Sequence, residues 1–161
     1  MNEIERLQYL LNETYSGNCF HGDSIAQIFN SVDPVTAAWS PDGKTHSIWQ
    51  IVLHMTAWQN AIRERLTSPT LVTLADEQNY PAVPQPTLET WSATLDQFRD
   101  ALQALGKAIA KFPEDKLEAS VPGRGYTFDV LLHGAIHHNL YHIGQVSLLK
   151  AMYQRLGTGK T

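Results

Sequence analysis

Apolar residues recur at intervals of three and four along most of the chain, which is the spacing of amphipathic helices. Ser47 and Thr87 belong to the residue types that cap helix N-termini, and Pro113 and Gly157 belong to those that end helices. No stretch alternates with period two for long enough to build a sheet. The pattern predicts four main helices, over residues 2–15, 47–66, 87–112 and 129–156.

Turn-forming residues separate these helices. A short helix capped by Asp23 or Ser24 follows the first break, and another can begin at Pro34. Because long connections separate the main helices, we expect an all-α four-helix bundle with short extra helices, and not a simple up-down-up-down arrangement. The predicted connections are residues 17–22, 41–43, 69–86 and 121–125, with Tyr126 and Phe128 as a short extended piece.

Composition narrows the class of protein. The 161 residues suit one domain, over residues 1–161, and a net charge of −4 with scattered basic residues argues against nucleic acid as a partner. No stretch reaches the roughly 18 apolar residues of a membrane span. The N-terminal residues lack the basic start and apolar stretch of a secretory signal. Cys19 is the only cysteine, which excludes an internal disulfide, and we expect a cytoplasmic protein.

Histidine is the unusual residue type in this sequence. There are seven, and two of them, His138 and His142, occupy positions of the last helix that otherwise hold inward apolar residues. They are four residues apart and therefore share one face of the helix. His54 lies on the inward face of an earlier helix. A second pair, His133 and His137, lies about 100° further around the last helix. Periodicity favours the first pair without excluding the second.

Three inward histidines suggest a metal site, because a buried imidazole needs a hydrogen-bond partner or a metal to offset its desolvation. Three protein ligands leave coordination positions open to water or substrate, as in catalytic sites. Three hypotheses follow. They are a metal-dependent enzyme acting on a small molecule, a metal-binding or stress-response protein without catalysis, and a bundle whose core histidines are simply hydrogen-bonded.

Two segments resemble motifs of the DinB-like superfamily. In the last helix the matching residues are His138, Tyr141, His142, Gly144 and Gln145, and in the earlier helix the segment 46–58 places a histidine, His54, ahead of Trp58. The segment 17–22 and the turn at 121–126 are also similar to the family. The paired helix motifs are specific, although each alone would be weak.

The resemblance implies a four-helix bundle of DinB-like topology that is commonly a homodimer. It implies that His54, His138 and His142 hold a divalent metal, zinc or nickel being the usual occupants. Gln145, Trp58 and Tyr141 are then candidates for the surrounding pocket. Some relatives are thiol-dependent transferases or isomerases. The resemblance therefore favours a transferase or hydrolase acting on an unknown small molecule, with a low-molecular-weight thiol as a co-substrate.

Overall fold

In the computed structural model, which describes residues 1–157, helices account for nearly all of the regular structure. One isolated antiparallel bridge joins Ser120 and Thr127. The helices are α1 (Glu3–Ser16), α2 (Ile25–Asn30), α3 (Pro34–Ala38), α4 (Ile48–Arg65), α5 (Asp76–Asn79), α6 (Leu88–Ala110) and α7 (Phe128–Met152). A 3-10 turn (Glu114–Lys116) precedes α7 and a π-helical turn (Tyr153–Gly157) follows it.

Side-chain caps define where the main helices begin. The Ser47 hydroxyl accepts a hydrogen bond from the backbone N–H of Gln50, and Oε1 of Gln50 accepts one from the backbone N–H of Ser47. The Thr87 hydroxyl likewise accepts from the backbone N–H of Thr90 at the start of α6. Ser24, and not Asp23, caps α2. The predicted caps of α4 and α6 are therefore confirmed, because each hydroxyl satisfies a backbone N–H that has no partner inside the helix.

The four long helices form a bundle in which α1 and α4 each pack against both α6 and α7. One apolar core joins residues of all four helices with α2 and α3. At its centre the Trp49 and Trp91 rings meet edge to face, 4.9 Å apart. Their indole N–H groups donate to the Thr94 hydroxyl (3.0 Å) and to the Val32 carbonyl (2.8 Å). These bonds tie α4, α6 and the residues before α3 together.

Three features differ from the sequence-based expectations. The predicted extended piece at Tyr126 and Phe128 is wrong at Phe128, which is the first residue of α7, because Thr127 caps the helix there. The helix α6 ends at Ala110, a turn before Pro113. The connection over residues 69–86 contains a helix of four residues, α5, that no side-chain cap signals. Its last residue, Asn79, accepts a hydrogen bond from His54.

The turn before α7 follows its sequence closely. The backbone N–H of Arg124 donates to the carbonyl of Val121 at 3.0 Å, with Pro122 and Gly123 between them. Gly123 has φ of +69°, which is the left-handed conformation that the third residue of a proline–glycine turn requires. This turn brings the chain back so that α7 packs along α4.

None of the helices between residues 1 and 157 combines the length and the apolar character needed to cross a membrane.

Replacing Trp91 by phenylalanine should destabilise the protein by about 2–4 kcal/mol. The change leaves the buried Val32 carbonyl without its indole donor and opens a cavity beside Trp49. Urea unfolding followed by circular dichroism would measure the free energy of unfolding. Trp39→Phe is the matched control, because Trp39 is half-buried beside Tyr153 and should lose less than about 1 kcal/mol. Equal losses in the two variants would contradict the role of the Trp91 hydrogen bond.

Candidate metal centre

The packing of α4 against α7 brings three histidines to one point. His54 comes from the middle of α4, and His138 and His142 come from consecutive turns of α7. The Nε2 atom of His138 lies 3.1 Å from the Nε2 atoms of both His54 and His142. One nitrogen from each ring lies within 4.8 Å of the others. The side chains of His54 and His142 are buried, and that of His138 is half-buried.

Hydrogen bonds at Nδ1 determine which nitrogen each ring presents. The Nδ1–H of His54 donates to the backbone carbonyl of Asn79 at 2.8 Å, and the Nδ1–H of His142 donates to Oε1 of Gln145 at 2.7 Å. A neutral imidazole with its proton on Nδ1 keeps a lone pair on Nε2. Both rings therefore direct a lone pair toward Nε2 of His138, which is how histidine ligands are held around metals.

This arrangement leaves the three nitrogens short of protons. A proton on Nε2 of His138 can serve one of the two facing lone pairs well, and the other then lacks a donor. A divalent cation satisfies all three at once. Two nitrogens bound to one zinc ion at about 2.05 Å in a tetrahedron are about 3.3 Å apart. Two of the three nitrogen pairs are close to this spacing at 3.1 Å, and the third lies within 4.8 Å.

The surroundings keep the imidazoles neutral. Burial, together with the nearby His142 and His54, lowers the pKa of His138 to about 3. Burial also lowers the pKa of His54 and of His142, partly opposed by the hydrogen bonds to Asn79 and to Gln145. Because each pKa falls below the usual value near 6.5, all three rings are neutral at pH 7. Neutral imidazole is the form that binds metal.

The short helix α5 supports the centre from the side of α4. Its last residue, Asn79, accepts from His54 through its backbone carbonyl and from the indole N–H of Trp58 through Oδ1 (2.8 Å). The next residue, Tyr80, stacks between His54 (ring centroids 4.4 Å apart) and His46 (3.9 Å). The sequence analysis missed Asn79 and Tyr80, because α5 has no capping side chain and lies among prolines.

The three pocket candidates all lie next to the histidines. Gln145 is the partner of His142, as described above. Trp58 packs beside the rings of His54 and His138, with centroids 6.3 Å and 5.8 Å away. Tyr141 meets the edge of His142 at 5.0 Å, but its side chain is exposed. The structure therefore gives Gln145 and Trp58 direct contacts within the centre and places Tyr141 at its rim.

The second histidine pair of α7, His133 and His137, has different neighbours from His138 and His142. His133 faces α1, where its Nε2 lies 3.1 Å from the Glu3 carboxylate and 3.6 Å from that of Asp129. His137 is exposed. Glu3, Asp129 and His133 lie close enough together to share a cation, but an ion pair between His133 and the two carboxylates accounts for their contact equally well. The two histidine pairs of α7 are thus separated by the helical rotation that their spacing predicts.

Most of this chain matches one known protein family. The model of the DinB superfamily matches residues 21–146, which include all three converging histidines and most of the bundle. No curated protein and no solved structure matches the chain significantly. The family match covers more than half of the chain and agrees with its helical fold and with a histidine cluster that can bind a divalent metal. The chain belongs to the DinB superfamily.

Proposed function

We propose that this protein is a divalent-metal-dependent enzyme that acts on a small molecule. One observation carries the proposal, namely the convergence of three neutral imidazole nitrogens within 4.8 Å from two helices. Histidine trios of this kind suit zinc and nickel, and we propose one of these as the native ion. His54, His138 and His142 would hold it.

The donor set favours catalysis over a purely structural role for the ion. Structural zinc sites use four protein ligands, whereas three ligands leave a position for water or substrate. A metal bound at such a site supplies Lewis acidity that lowers the pKa of a bound water or thiol. The protein side chains contribute position. Gln145 and the carbonyl of Asn79 orient two of the rings, and Trp58 packs beside His54 and His138.

We propose a low-molecular-weight thiol as the co-substrate, in line with thiol-dependent members of the superfamily. The thiol sulfur would form a bond to an electrophilic carbon of the second substrate while the bond to the leaving group breaks. The thiol proton would pass to solvent. Such thiols are kept reduced in the cytoplasm, which is where we place the protein.

Metal binding is the first test. The purified wild-type protein should bind about one divalent ion per chain, and His54→Ala and His142→Ala should each weaken the affinity more than about 100-fold, beyond the usual effect of losing a supporting hydrogen bond. Gln145→Ala should weaken it about 10- to 100-fold, because the His142 ring loses its Nδ1 partner. Calorimetric titration with Zn²⁺ or Ni²⁺, together with elemental analysis, measures these values.

His137→Ala is the matched control for metal binding, because His137 neighbours His138 in the same helix but is exposed. It should bind metal as the wild type does. A wild-type protein that takes up no ion would instead support a bundle with hydrogen-bonded core histidines and would overturn the proposal.

Thiol transfer is the second test. The metal-loaded protein should accelerate the reaction of bacillithiol or glutathione with chlorodinitrobenzene, a general electrophile, in which a carbon–sulfur bond replaces the carbon–chlorine bond. Activity should disappear with chelation and in His142→Ala, and should persist in His137→Ala. Tight metal binding without turnover over a broad panel of thiols and electrophiles would favour the alternative, a non-catalytic metal-binding or stress-response protein.

We also propose that the protein forms a homodimer through the outer face of α7. Val130, Tyr141 and Leu148 are 55%, 65% and 62% exposed, and they lie about three and two helical turns apart on one face. A second apolar face is typical of a helix that packs against another helix as well as against its own core. A second copy of α7 is the simplest occupant, since the same face would then serve both subunits.

Tyr141→Glu should convert the dimer to a monomer, because it introduces two like charges near the centre of this symmetric face. Sedimentation equilibrium measures the mass. Tyr9→Glu is the control, since Tyr9 is similarly exposed (53%) but lies on α1. A wild-type protein that sediments as a monomer at micromolar concentration would exclude the dimer.

A further inference from the structure

A cleft between α4 and α7 opens beside the metal centre. Its volume is about 240 Å³, and His138 is one of the residues that line it. The remaining lining is mostly apolar and comes from both helices and from the turn before α7. These residues are Trp58, Ile62, Arg65, Tyr126, Val130, Leu131, Gly134 and Ala135.

Hydrogen bonds hold two side chains of the cleft wall, Trp58 and Arg65, in place. The indole N–H of Trp58 donates to Asn79, and the guanidinium carbon of Arg65 lies 5.1 Å from the centre of the Trp58 ring system. Arg65 itself is buried and donates to the carbonyl of Val72 (3.1 and 3.2 Å) and to the hydroxyl of Tyr126 (3.3 Å). The cleft is therefore preformed, which lowers the entropy cost of filling it.

Gly134 keeps the cleft open. Glycine is unfavourable inside a helix relative to alanine, and a methyl group at Gly134 would meet no other atom within 4 Å. No neighbouring atom in the described chain therefore requires a glycine there. Its effect is to leave space in the wall next to His138. The lack of a side chain at Gly134 leaves this part of the wall, one turn from His138, open to a ligand.

We propose that the cleft binds an apolar group of the substrate, joined by a short linker to the atom that reaches the metal. This inference rests on the proposed function and specifies the substrate class. An apolar cavity of about 150 Å³ takes up benzene, so a cleft of about 240 Å³ accommodates an aromatic ring or a branched alkyl group with a short linker. It is too small for a helix of another protein, whose diameter is about 10 Å.

Two arginine side chains near the cleft restrict the charge that the bound substrate group can carry. Arg65 and Arg124 both donate to the Val72 carbonyl. Among residues 1–157, the ion pairs of the structure involve neither of them. Two guanidinium groups without a carboxylate partner make the potential around the cleft positive. We therefore expect the substrate group that fills the cleft to be uncharged or to end in a carboxylate. An ammonium group would be repelled by the two arginines.

The cleft can be tested without metal or turnover. Benzyl alcohol, titrated into the metal-free full-length protein, should shift the NMR signals of the Gly134 amide and the Trp58 indole N–H in a saturable way. Gly134→Leu fills the cleft and should abolish the shift at Trp58. Gly144→Leu is the matched control, because Gly144 lies in the same helix, has equally open space and lines a different cleft. No saturable shift in the wild type, or equal behaviour of both variants, would refute the cleft as a binding site.

The link to the metal is tested with Co²⁺-loaded protein and unbranched thiols from ethanethiol to pentanethiol, followed by the visible absorption of the ion. The dissociation constant should fall about fourfold for each added methylene, as expected for about 0.8 kcal/mol per buried CH₂. Butanethiol should also bind more tightly than aminopropanethiol, which has the same length but carries an ammonium group. The dependence on chain length should vanish in Gly134→Leu and persist in Gly144→Leu.

The outcomes separate the two proposals. If no thiol changes the absorption while benzyl alcohol still binds, thiol chemistry is wrong and the apolar cleft stands. If thiols bind with affinities independent of chain length, the cleft does not hold the substrate's apolar group. Sedimentation of both glycine variants, which lie on the outer side of α7, shows whether either acts through the dimer instead.

Discussion

Three imidazole nitrogens face one another where α4 packs against α7, and the surrounding structure serves to keep them there. Two of the rings are fixed by Nδ1 hydrogen bonds, one to the Asn79 carbonyl and one to Gln145, so that their lone pairs point at His138. Burial keeps all three neutral. Lone pairs that converge without enough protons are unfavourable on their own, and a cation removes the conflict. This is the physical basis for assigning a metal centre to the bundle.

The connection between α4 and α6 contributes more than its irregular composition suggests. The helix α5 and the following residue provide a carbonyl for His54, an amide oxygen for Trp58 and an aromatic ring that stacks on His54. Two side chains of α4, His54 and Trp58, thus depend on the five residues 76–80. Because Tyr80 precedes Pro81, its backbone is biased toward an extended conformation that cannot continue the helix. The same segment orients one wall of the apolar cleft through Trp58.

The last helix has a different role on each face. Its inner face supplies core residues and two of the three histidines. Val130, Gly134 and His138 line the cleft on one side. Val130 is also exposed, as are Tyr141 and Leu148 further along the outer face. A helix that is apolar on several faces needs more than one partner. The bundle core covers the inner face, and the proposed substrate and second subunit would cover the other two.

Much of the fold and of the histidine cluster follows from local rules that a sequence expresses directly. The apolar period, the caps at Ser47 and Thr87 and the stop at Pro113 predicted the long helices, since they depend on neighbours within one or two turns. The i,i+4 spacing likewise put His138 and His142 on one face. Periodicity left His133 and His137 open, and the resemblance selected the first pair. The resemblance also joined His54 to that pair. Only the tertiary structure gave the distance between the His54 and His138 rings, supplied the Asn79 carbonyl and shaped the cleft at Gly134. These depend on contacts between residues distant in the chain, which helical spacing does not specify.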